Sequence, residues 1–148
     1  MESEIKEALG FLEKTHHGAL ATLEEAKPFV SAVSFIYDFP STGKGWGRVY
    51  FFLSELARHT RNLQMNPEVS LLVAEEGPAP AYEKKRVTLQ GTIRRFEDQS
   101  RFEKLKARYL EIFPAAEMFF GFSDFHFFEM EISEIHWIEG FGKIHTFK

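Results

Sequence analysis

Residues 51–73, FFLSELARHTRNLQMNPEVSLLV, decide the fold. Phe51, Phe52 and Leu53 form an apolar run that reads as a strand. Ser54 is placed to N-cap a helix, its hydroxyl accepting an orphan backbone N–H. Leu56, Ala57, Thr60, Leu63 and Gln64 recur at helical spacing, and Asn66-Pro67 stops the helix. Residues 68–73 then resume as a buried strand. Arg58, His59 and Arg61 crowd this short helix, in a chain whose net charge is −4. Clustered guanidinium groups near a helix start suit a phosphate or a carboxylate, because Arg offers a planar fork of donors and the helix end adds positive potential. A solvated basic helix face has the same composition, and these residues alone leave both readings open.

Outward from this unit the pattern is mostly strands. Residues 4–15 read as a helix with Ile5, Leu9 and Leu12 on one face, ended by His16-His17-Gly18. Residues 19–23 read as a strand, 24–27 as a polar turn, and Phe29, Ala32, Val33, Phe35 and Tyr37 as one long β segment. The Gly-rich stretch 39–47, FPSTGKGWG, is succeeded by a strand and not by a helix. It therefore reads as a wide hairpin loop and not as a dinucleotide fingerprint. Residues 86–96 alternate, with Val87, Leu89, Gly91 and Ile93 on one side. Asp98 is placed to cap a helix over 99–113 that Pro114 ends, and 125–132 and 134–138 read as two closing strands. About seven short-linked, mainly antiparallel strands with two or three helices predict a mostly-β or α+β single domain, 1–148, built as a small β-barrel flanked by helices.

Composition narrows the function. Lys plus Arg is 18 against Asp plus Glu 22, so there is no global bias toward nucleic acid or anionic membrane. Cysteine is absent, which removes disulfides, thiolate catalysis and iron–sulfur ligation. No apolar run approaches the ~20 residues of a membrane span, and residues 1–10 lack the pattern of a signal peptide, so the expectation is a cytoplasmic protein. Seventeen Phe are more than one small barrel core needs, which points to a subunit interface or an aromatic-lined pocket. Six His show no HxH or HExxH spacing, and no GxSxG elbow is present, so neither a metal site nor a Ser nucleophile is read. Any catalysis would draw its reactivity from a cofactor.

The segments PFVSAVSFIYD, FFLSELARHTRNLQMNP, SLLV, RVTLQGTI and WIEGFGKIHTF, in that order, resemble the FMN-binding split-barrel superfamily that includes pyridoxamine 5′-phosphate oxidase. The resemblance is nearest to its haem-utilisation branch and covers residues 17–147. It implies an antiparallel split β-barrel, a homodimer, and an FMN-dependent oxidoreductase. By the family pattern Ser31, Ala32, Val33 and Ser34 would run along the isoalloxazine edge, with Phe52, Leu53 and Ser54 beside the ribityl chain. Arg58 matches a phosphate-binding arginine, His59 stands where the oxidases carry a phosphate-binding lysine, and Arg61 would compensate. Arg86 stands where the oxidases carry a glutamine near the flavin, reached from the partner subunit. Residues 137–145, WIEGFGKIH, contain none of the substrate arginines of true pyridoxine-phosphate oxidation. The resemblance also implies an alternative, a haem-binding or haem-degrading protein with His145 as iron ligand. A split barrel that serves in interaction without a cofactor is a third reading.

Overall fold

The computed structural model describes residues 2–41 and 43–148; Met1, and Thr42 within the Gly-rich loop, lie outside the described residues. Helix α1 (Glu2–Lys14) leads into β1 (His17–Glu24), β2 (Lys27–Ser34), β3 (Ile36–Asp38) and β4 (Arg48–Ser54). Helix α2 (Arg58–Met65) and strands β5 (Glu68–Ala74) and β6 (Arg86–Arg95) come next, then α3 (Gln99–Ile112), β7 (Phe125–Gly140) and β8 (Lys143–Phe147). Two 3-10 segments, Ala81–Glu83 and Pro114–Gly121, fill the connections before β6 and after α3.

The eight strands form one antiparallel sheet ordered β2-β1-β5-β6-β7-β4-β3, with β8 added on β7. Its two outermost strands, β2 and β3, are consecutive in the chain, with only Phe35 between them. The sheet therefore curls until its ends meet at Phe35, whose N–H donates 2.9 Å to the His16 carbonyl, one step past the β1–β2 pairing. This is the antiparallel split barrel that the strand order predicts. Alternation fills it: Leu20, Val33, Leu71, Leu89, Ile135 and Trp137 point inward, and Ala8 and Leu12 of α1 plug one mouth. A second apolar cluster, with Leu105 and Tyr109 of α3 against Tyr50, Phe96 and Phe127, fixes α3 on the outside. Each such fully buried side chain contributes about 1.5–3 kcal/mol.

Four local expectations are corrected. The single β segment over 29–37 is two strands, because the chain turns from one end of the sheet to the other at Phe35. Residues 125–132 and 134–138 are one 16-residue strand: Ser133 is taken up as a β-bulge between the pairs Gly91↔Ile132 and Gln90↔Glu134, its Oγ donating 3.0 Å to the Gln90 carbonyl. Only Gly fits opposite, since a Cβ on Gly91 would stand 2.0 Å from the Glu131 carbonyl oxygen. Residues 143–147, to which the sequence pattern assigns no element, form strand β8. Finally, α2 starts later than expected. Its N-cap is Ala57, with no side-chain cap, while Ser54 Oγ closes a preceding turn by accepting from Leu56 N (3.1 Å) and donating to Asp124 (2.7 Å).

Candidate functional site

A cavity of about 630 Å³ opens where β2, the end of β4 and the start of α2 face the C-terminal half of α3. Seven of the residues singled out in the sequence line it: Ala32, Val33, Ser34, Phe52, Leu53, Ser54 and His59. The opposite wall is Tyr109, Ile112, Phe113 and the 3-10 segment through Phe119, with Phe125 beside it. None of the lining side chains is an Asp, Glu, Lys or Arg. Burial pushes the Tyr109 phenol up to about 12, so it too stays neutral.

The one imidazole in the lining is His59, beside the hydroxyls of Ser34, Ser54 and Tyr109. Its Nδ1 lies 3.0 Å from Ser31 Oγ, which fixes the ring, and burial lowers the imidazole's pKa below the ordinary histidine value. With Nδ1 engaged, Nε2 is the ring nitrogen left for a ligand, and it is an acceptor in the tautomer whose Nδ1–H donates to Ser31 Oγ. Ala57, the uncapped N-terminus of α2, lines the same cavity, so the helix end brings its amide donors and positive potential to the rim.

The arginines lie elsewhere. Arg58 lines no part of the cavity: its guanidinium makes a forked ion pair with Glu24 at the β1–β2 turn (Nε to the two oxygens 3.1 and 3.2 Å) and sits 4.2 Å over the Phe29 ring. That contact draws the Glu24 carboxyl below its usual range. Arg61 is exposed on the same helix. Arg86 is at the far end of β6, opposite Ala74 and Ile138, where Nη1 holds the carbonyls of Ala81 and Lys84. His145 is on β8 opposite Trp137, with Nε2 3.2 Å from Glu139. Neither Arg86 nor His145 lines the cavity.

Sequence patterning gives little sign of the remaining wall. Phe119 and Phe125 belong to the cavity, while Phe127 and Phe128 are core; Phe52 stacks on Phe120 at 4.0 Å to form the floor behind it. The Phe-rich run after Pro114 is the available signal. No sequence spacing foreshadows the Ser31–His59 bond, which joins residues 28 positions apart. Among the described residues no group of three His, Asp or Glu converges as a metal site would require.

A family model described as CREG, beta-barrel matches residues 2–147. The chain belongs to the CREG β-barrel family. It is 28% identical to heme oxygenase HutZ of Vibrio cholerae, over 97% of this chain and 78% of that one. A solved heme binding protein from Mycobacterium smegmatis superposes with a TM-score of 0.77 at 26% identity, over 100% of this chain and 58% of that chain. A FAD-binding protein from Mesorhizobium loti superposes with a TM-score of 0.68 at 18% identity, over 88% of this chain and 90% of the other, and shares the fold alone. The split-barrel resemblance, nearest to its haem-utilisation branch, is thereby established. Among the described residues no helix is long and apolar enough to cross a membrane.

Proposed function

We propose that this chain is a haem-binding member of the split-barrel family, with the haem seated in the cavity and His59 facing the iron. One observation carries this reading: an uncharged, aromatic-walled cavity contains a neutral imidazole whose Nδ1 is already held by Ser31. An outer partner of this kind sets ring orientation in metal-ligating histidines. The cavity's volume falls in the range of cofactor sites, about 300–1,000 Å³. The uncapped α2 terminus suits a propionate at the rim. The likeness to HutZ and to the M. smegmatis heme binding protein favours the same ligand. Haem would supply redox and oxygen chemistry; the protein's part is to position it, exclude water and keep His59 deprotonated.

FMN is the second reading, and the helix end favours it as well, because a flavin phosphate could take the same amides. It requires Arg58 to leave Glu24. Titrating the ligand-free protein in parallel with hemin and FMN separates the two. Hemin should bind with a sharpened Soret band, and FMN should bind more weakly. Tight FMN binding without a hemin spectrum would overturn the haem reading.

We further propose a homodimer built on the outer face of β2, β1 and β5. Val30 and Leu72 are 62% and 43% exposed there. In register beside them stand Ala19, Ala21, Ala32 and Ser70, so the stripe carries no charge. The cavity opens from Ala32 on this same strand, so a partner seated on this face would extend its wall.

A further inference from the structure

A second, larger cleft lies at the N-terminal half of α3, and it shares no lining residue with the cavity above. It encloses about 1000 Å³ between the β3–β4 loop, the end of β6 and α3. Its walls carry seven basic side chains, five of them arginines, against four carboxylates; Arg48 and Arg95 pair outside the cleft with Glu131 and Glu55, which leaves an excess of one positive charge. The chain as a whole carries −4, so positive charge is concentrated here against the global balance.

The guanidinium groups are held in place by neighbours without being buried. Arg101 donates 2.8 Å to the Tyr50 hydroxyl and lies 5.5 Å over the Phe96 ring. Arg94 meets Glu129 at 3.0 Å, and Arg108 pairs with Asp38 and the Tyr37 carbonyl. Each keeps a third or more of its side chain exposed. Lys104 lies between Arg101 and Arg108 on α3 and lines the same cleft. Pre-ordered forks around a concave site recognise compact oxyanions, because each added contact needs little further loss of side-chain freedom. The lip is aromatic: Phe39, 48% exposed, stands edge-on to Tyr37 at 5.3 Å.

We propose that this cleft binds a small molecule carrying a diphosphate group, with Arg94, Arg101, Lys104 and Arg108 on the phosphates and Phe39 available to a ring. The site is independent of whichever cofactor fills the other cavity. The shared chemistry is the diphosphate, and two probes distinguish a free diphosphate from a nucleotide.

Calorimetric titration of the full chain with pyrophosphate and with ADP, at 0.15 M salt, tests it. Both should bind, and Lys104→Gln with Arg94→Gln, two exposed substitutions outside the core, should weaken both by about tenfold or more. Tighter binding of ADP than of pyrophosphate, lost on Phe39→Ala, assigns a nucleotide; equal affinities assign the diphosphate alone. The double variant's thermal melt should match wild type, which shows that it is folded. Absence of binding by either probe at millimolar concentration, or binding that the double variant leaves unchanged, overturns the site.

Discussion

Ser31 Oγ and His59 Nδ1 are 3.0 Å apart across the gap between β2 and α2, and this contact fixes the imidazole inside an uncharged cavity. The pair has a consequence for stability. Burial lowers the folded-state pKa of His59, so the unfolded chain takes up the proton first as pH falls from ~6.5. Stability tied to this group is therefore full above ~6.5 and lost as pH drops through the lower, folded value. His59→Gln should remove that share of the acid-side decline. Denaturation midpoints measured from pH 7.5 to 5 should fall more steeply in wild type than in His59→Gln. Parallel slopes would show that His59 titrates alike in both states.

Arg58 and Glu24 decide between the two cofactor readings. Glu24→Gln releases the guanidinium from its fork, and Arg58→Ala removes it. If the arginine served a flavin phosphate, the first change would tighten FMN binding and the second weaken it by ten- to a hundredfold, about 1.5–3 kcal/mol. Hemin affinity should stay within about twofold in both variants, because the pair is solvent-exposed and forms none of the cavity wall. Opposite shifts in FMN affinity, read by fluorescence quenching, would move the assignment to flavin.

The β1–β2 hairpin stores strain beside that pair. Glu25 and Ala26 turn it with φ of 49° and 67°, a two-residue turn with both residues left-handed. Such turns favour Asn-Gly, and an L side chain in this region costs about 1–2 kcal/mol. Ala26→Gly should stabilise the protein by about 1 kcal/mol and raise Tm by about 2–4 °C. A lower Tm in a thermal melt would show that the turn carries no such strain.

The dimer face can be broken with one charge. Leu72→Lys places an ammonium on the β5 side of the uncharged stripe, directly opposite Ala19. Burying it against a partner is costly, so sedimentation should show the variant as a monomer at concentrations where wild type is a dimer. A wild-type monomer at micromolar concentration would remove the proposed interface altogether.

Much of the fold is legible in the chain because the strands alternate and their punctuation is clear. Pro114 and Asp98 bracket α3, and the Asn66-Pro67 stop separates α2 from β5. The features that sequence reasoning misses depend on tertiary pairing. Ser133 reads as a break between strands until the sheet absorbs it as a bulge opposite Gly91. Ser54 has the chemistry of an N-cap, but its oxygen accepts from Leu56 N in a preceding turn while its hydroxyl donates to Asp124, 70 residues away, and the helix starts at Arg58 instead. The site is half legible. The strand residues of β2 and β4 line one cavity with His59, whereas the basic residue expected to anchor a ligand, Arg58, turns outward because Glu24 on the neighbouring hairpin takes it.

On the proposed haem assignment, His59 is the group in this cavity that meets the iron. A Soret-monitored hemin titration of wild type, His59→Ala and His145→Ala at pH 8 tests it most directly. Wild type and His145→Ala should saturate with the same sharp band, and His59→Ala should lose the band's sharpness and at least about tenfold in affinity. Identical curves for wild type and His59→Ala, with the band lost in His145→Ala, would move the iron from His59 to His145.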